Sequence, residues 1–137
     1  MKIPMTLYAL ILMACYLYLP IVGEEVVLPY GVLLIGGVPK LTLNSLLGVP
    51  GVVLLIFVNI LPFHARWRAT MNITSLTLMT LSIMFLFLRD PTHNTWNTFT
   101  SSRLSYVFYL SYTGISILFI RKNMTLLEVS AETPDKT

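Results

Sequence analysis

Four stretches of the chain run for 17 to 20 residues without a charged side chain: Ile3 to Val22, Leu46 to Pro62, Met71 to Leu88 and Leu104 to Ile120. Polar and basic residues separate them. The third reads MNITSLTLMTLSIMFLFL and is bracketed by Arg68 and Arg89. Eighteen helical residues rise about 27 Å, close to the hydrocarbon thickness of a bilayer. The pattern predicts four transmembrane helices, over about residues 3–22, 46–62, 71–88 and 104–120.

The segments between them are read from their breakers and caps. Glu24 and Glu25 end the first span. Residues 26–40, VVLPYGVLLIGGVPK, are apolar but too short to cross. Pro29, Gly31, Gly36, Gly37 and Pro39 are expected to break any helix there. Irregular backbone exposed to lipid would leave its polar groups unpaired. The segment is therefore expected to be interfacial or re-entrant and packed against protein. Asn44-Ser45 offers an N-cap to the second span. Gly48, Pro50 and Gly51 fall in its first turns, where small residues allow close helix approach. Asn59, its one strongly polar interior residue, is expected to hydrogen-bond across helices. Phe63 to Arg68 reads as a short loop, and Arg89 to Arg103 as a polar one with Trp96 and Phe99 at headgroup level. Ser101 or Ser102 can cap the fourth span, and Arg121-Lys122 closes it. Residues 1–123 then form one four-helix domain and 124–137 a polar tail, with Met124 to Val129 a candidate helix extension.

Composition supports lipid as the solvent. Of 137 residues, 55% are hydrophobic and 11% charged, against roughly 25% charged in soluble domains. A chain this short cannot hide the difference in a larger core. The net charge of +3 is scattered rather than gathered in a stripe, so nucleic-acid binding is not expected. Charge instead sets orientation. With the N-terminus inside, Lys2, Arg66, Arg68, Arg121, Lys122 and Lys136 lie inside, and Lys40, Arg89 and Arg103 outside. Six against three obeys the positive-inside rule. The predicted fold class is an all-α integral membrane protein with both termini cytoplasmic, most simply in a bacterial inner membrane.

The first run has competing readings. Lys2 before it suits a cleaved signal peptide, and Leu12-Met13-Ala14-Cys15 loosely resembles a lipobox, but Tyr16 to Leu19 stays hydrophobic beyond that point. An uncleaved span is preferred, with Cys15 as a small buried hydrophobe. The single cysteine excludes an intrachain disulfide and a cysteine-rich metal site.

Catalytic chemistry is not expected. The acids before the tail are Glu24, Glu25 and Asp90, and His64 and His93 fall in loops on opposite sides of the membrane. Shared metal binding or proton relay within one chain is thereby excluded. No cofactor is expected. Ion-coupled transport needs a charge inside the bilayer, and the spans hold none. The small multidrug transporters have four helices and similar length but depend on an acidic residue in the first, which is missing here.

Hydroxyl and amide groups within the spans stand out instead. The third holds Asn72, Thr74, Ser75, Thr77, Thr80 and Ser82. The fourth holds Ser105, Tyr109, Tyr112 and Ser116 at i, i+4, i+7 and i+11, one stripe down a helix face; Tyr106 and Thr113 widen it. Such a stripe either packs inside the bundle or docks another membrane protein. The functional expectation is a non-catalytic protein acting by helix–helix contact, with the stripe, Arg89, Trp96 and Arg103 as candidate partner-binding residues. Four spans, cytoplasmic ends and this length resemble the immunity proteins that protect bacteria against pore-forming bacteriocins; the likeness is one of architecture. A regulator of a membrane partner would look the same. The partners expected are the bilayer and another integral membrane protein or membrane-inserting toxin. The alternative is a small oligomeric transporter or channel subunit, with Asn59, Asn72 and Tyr112 lining a path.

Overall fold

The computed structural model describes residues 4–22, 27–89 and 103–132. These are mostly helical: α1 (Met5–Leu17), α2 (Tyr30–Gly37), α3 (Leu43–Ile60), α4 (Ala65–Arg89) and α5 (Arg103–Glu132). Strands β1 (Pro20–Val22) and β2 (Val27–Pro29) pair antiparallel, with Pro20 opposite Pro29 and Ile21 opposite Leu28. The expected all-α fold thus carries one small hairpin. Two helices, α3 and α4, are long and apolar enough to cross a membrane.

Helix α1 is shorter than the run that encodes it. Pro20 disfavours helical backbone at Leu19, and the chain leaves the helix after Leu17 to enter β1. Its 13 residues rise about 20 Å. The Tyr30 N–H donates to the Leu19 carbonyl at 2.8 Å, tying the hairpin's exit to its entrance.

The segment expected to resist helix formation contains α2. Pro29 sits at its N-cap, where a missing N–H costs nothing. Gly36 and Gly37 fall in its last turn, and Gly37 is buried against Thr42 and Ser45, where a side chain would have no room. Tertiary packing overrides glycine's poor helix propensity at this position. Leu41, with φ 49°, is a non-glycine residue in the left-handed region and turns the chain toward α3.

Helix α3 starts earlier than expected, with Thr42 rather than Asn44 or Ser45 as the residue before its first turn. Ser45 instead donates to the Leu34 carbonyl at 2.9 Å, joining α3 to α2. Helix α4 also starts early, so Arg66, Trp67 and Arg68 stand in its first turn rather than in a loop. Helix α5 passes through Arg121 and Lys122 and continues to Glu132. Lysine and arginine are good helix formers, so a charge pair does not by itself end a helix. The residues from Asp90 to Ser102, including Trp96 and the candidate caps Ser101 and Ser102, lie outside the described residues.

Helices α3 and α4 form the closest pair; α5 packs on α4 and α1, and α1 returns to α3. Close approach rests on two glycines of α3. A Cβ at Gly51 would come 2.9 Å from Met79 Cγ and 3.1 Å from the Ser75 carbonyl of α4. One at Gly48 would meet Tyr16 Oη of α1, Leu34 of α2 and Ser82 Oγ of α4 at 2.5–2.6 Å. Gly48 is thus where four helices meet. The core is built from Leu12, Tyr16, Leu55, Met79 and Phe119, each almost or fully buried.

Candidate functional site

Helix α4 sorts its polar side chains by face. Thr70, Thr74 and Thr77 point outward, each donating to the carbonyl four residues back. Asn72, Ser75 and Ser82 point inward and are buried. The inward set organises two polar layers across the bundle.

The first layer is a chain of three amides. Asn59 Nδ2 of α3 donates to Asn72 Oδ1 of α4 at 3.0 Å, and Asn72 Nδ2 donates to Asn123 Oδ1 of α5 at 3.1 Å. Both ends are anchored to helix backbone: Asn59 Nδ2 also donates to the Leu55 carbonyl, and Asn123 Nδ2 to that of Phe119, both at 2.8 Å. Asn72 and Asn123 are fully buried. Beside this layer, Lys122 Nζ lies 4.5 Å from the centroid of the Tyr8 ring and joins α5 to α1.

The second layer is made of hydroxyls. Tyr30 Oη of α2 and Ser82 Oγ of α4 share a hydrogen bond at 2.5 Å, and Ser82 Oγ donates to the Asn44 carbonyl of α3. Tyr16 is fully buried beside them, its ring edge-on to that of Tyr30 with centroids 5.2 Å apart. Tyr16 Oη has no hydrogen-bond partner among the described residues. The Tyr112 ring lies 6.0 Å from that of Tyr16, and its hydroxyl shares a hydrogen bond with Thr80 Oγ1 at 3.2 Å.

Between the layers lies an apolar belt. Asn72 and Thr80 stand eight positions apart on α4, a rise of about 12 Å. Leu76 and Met79 fill that interval, facing Leu55 of α3, Phe119 of α5 and Leu12 of α1. Ser75 is the buried polar side chain of α4 in this interval, and it donates to the Gly51 carbonyl at 2.6 Å.

The stripe expected on the fourth span is turned into the bundle. Ser105 and Tyr112 are buried, and Tyr109 and Ser116 are half-buried. Tyr109 Oη donates to the Pro20 carbonyl at 3.4 Å, and its ring lies 5.8 Å from that of Phe87. Ser116 Oγ donates to the Tyr112 carbonyl one turn back. Ser105 Oγ is buried without a partner among the described residues. Tyr106 is half-exposed and Thr113 exposed. Arg89 ends α4, exposed, and Arg103 opens α5. Trp96 lies outside the described residues.

Asn123, Tyr16 and Tyr30 were missed as organising residues. Asn123 had a signal. It continues the stripe beyond Ser116 by one step of three and one of four, through Phe119. Arg121-Lys122 conceals it, because the pair marks the edge of the apolar run. Tyr16 and Tyr30 had none, since nothing in a single sequence brings residue 30 to residue 82.

No cluster of three or more histidine, cysteine or acidic side chains is found among the described residues. His64 is exposed, and Cys15 lies half-buried at the edge of the core. Comparison with protein-family models, with curated protein sequences and with solved structures finds no match.

Proposed function

We propose that the chain is a four-span integral membrane protein, with both termini cytoplasmic, that acts by helix contact with another membrane protein. One observation carries the reading: polarity is inverted relative to a water-soluble bundle. Ser45, Asn72, Ser75, Ser82 and Asn123 are buried and bind one another or carbonyl and hydroxyl groups of neighbouring helices, while α1, α3 and α5 turn Leu10, Phe57 and Leu110 outward, at 52%, 56% and 70% exposure. In water such a surface would drive aggregation. In lipid it carries no cost, and association then depends on shape, dispersion and a few hydrogen bonds. The partner this surface suits is the apolar transmembrane segment of a resident protein or of a membrane-inserting toxin, as an immunity protein or a regulator would meet.

The outward face of α5, around Leu110 and Ile117, is the contact surface consistent with this reading, because the polar stripe on the opposite face is engaged within the bundle. A photo-crosslinking side chain at position 110 in native membranes is expected to yield a discrete adduct, and one at position 112 none. Solute flux through the purified chain in liposomes, without any partner, would overturn the contact reading in favour of a transport subunit. Transport needs a continuous polar path, and among the described residues the belt of Leu12, Leu55, Leu76, Met79 and Phe119 interrupts the one through Asn59, Asn72 and Tyr112.

A further inference from the structure

A notch of about 470 Å³ lies between α2 and α3. It is lined by Gly31, Val32 and Ile35 of α2 and Val49 and Val53 of α3, together with Leu17 and Tyr18 at the end of α1. The lining is apolar. Gly31 is what brings α2 against α1: a Cβ there would press on the Leu17 carbonyl at 3.2 Å and on Leu17 Cδ2 at 3.3 Å. The volume lies within the range of small-ligand sites. Each wall is only about 6 Å long, one helical turn, so a transmembrane helix would not be held along it.

We infer that the notch holds one acyl chain of an anionic phospholipid. The inference rests on the membrane-spanning reading, which places this face in the hydrocarbon. Lipid tails are as apolar as the lining, so the hydrophobic effect supplies no affinity. Filling the notch does, because an empty concavity forfeits dispersion contacts on every wall. The short turn that joins α2 to α3 carries Lys40, exposed. An ammonium in that turn favours a negatively charged headgroup over a zwitterionic one, by about fivefold for a single lysine near the bilayer surface.

The test uses the full chain purified in detergent and read by native mass spectrometry, after exposure to an equimolar mixture of phosphatidylglycerol and phosphatidylcholine of the same tail length. One bound phospholipid is expected, with phosphatidylglycerol preferred about fivefold. Val53→Trp fills the notch and is expected to abolish the adduct; Lys40→Gln should keep the adduct and lose the preference. Ile60→Trp, on the same helix but away from the notch, controls for bulk and should change nothing. An adduct that survives Val53→Trp, or a preference that survives Lys40→Gln, overturns the assignment. Alkaline extraction of native membranes separates the two levels of failure. A chain that stays in the membrane pellet but shows no notch-dependent adduct refutes the lipid site alone. A chain released as soluble monomer refutes the membrane reading beneath it.

Discussion

Replacing Asn72 by alanine strands two partners at once, the Asn59 amide and the Asn123 carbonyl oxygen. Hydrogen bonds between transmembrane helices are worth about 0.6 kcal/mol on average, and a buried polar group left unpaired costs about 1–3 kcal/mol. Asn72→Ala should therefore destabilise the bundle by about 1–2 kcal/mol, measured by unfolding in graded detergent mixtures. In a double-mutant cycle with Asn123→Ala, the coupling should be about 0.6 kcal/mol, and a coupling of zero would show the pair to be spectators. Gly48 acts through what it lacks. Tyr16, Leu34 and Ser82 crowd the place of a Cβ, so Gly48→Ala forces three helices apart and should cost about 1–3 kcal/mol in the same assay. Tyr16→Phe, which removes the hydroxyl nearest that Cβ, should recover part of the loss.

Among the elements, α2 is the one whose attachment is least expected from its own composition. Eight residues, three of them glycine, do not make a stable helix alone. It is held from outside, by Tyr30 to Ser82 of α4, by the Leu34 carbonyl to Ser45 of α3, and by the fit of Gly37 against Thr42 and Ser45. Tyr30→Phe removes the side-chain hydrogen bond between α2 and α4 while keeping the buried ring. Amide hydrogen exchange in α2 is then expected to speed up severalfold, with α3 and α4 unchanged; uniform protection across all three would show that packing alone holds the segment. Helix α5 shows the complementary case. Its continuation past Lys122 is stabilised by Asn123 bonded to Asn72 and by Lys122 against Tyr8, so the basic pair does not end the helix.

At the scale of the whole molecule, the two polar layers differ in which helices they join. The amides link α3, α4 and α5; the hydroxyls bring in α1 and α2. The antiparallel α3–α4 pair places Lys40 and Arg89 at one end of the bundle and Arg66, Arg68 and Lys122 at the other. The four-span proposal orients that second end toward the cytoplasm. Single cysteines at His64 and Met124, in a Cys15→Ala background, should react with a membrane-impermeant thiol reagent only after the inner face is opened, and one at Lys40 in intact cells. Reaction of position 64 from outside would invert the proposed topology.

The spacing of charges along the chain was enough to locate the apolar runs, the helices α3 and α4 and the breaks between them, because exclusion of charge from an apolar phase is a local property of each segment. The glycines of α3 likewise foretold a close contact, whereas α1 ends before the limit of its apolar run. Proximity is different. Which face of α5 turns inward, that Asn123 completes an amide chain, and that a glycine-rich segment becomes helical against Ser45 and Ser82 all depend on residues 11 to 52 positions apart in the chain. A stripe of hydroxyls reads the same from sequence whether it meets a partner or its own neighbours, and here the approach of α1 and α4 decided that it meets its own.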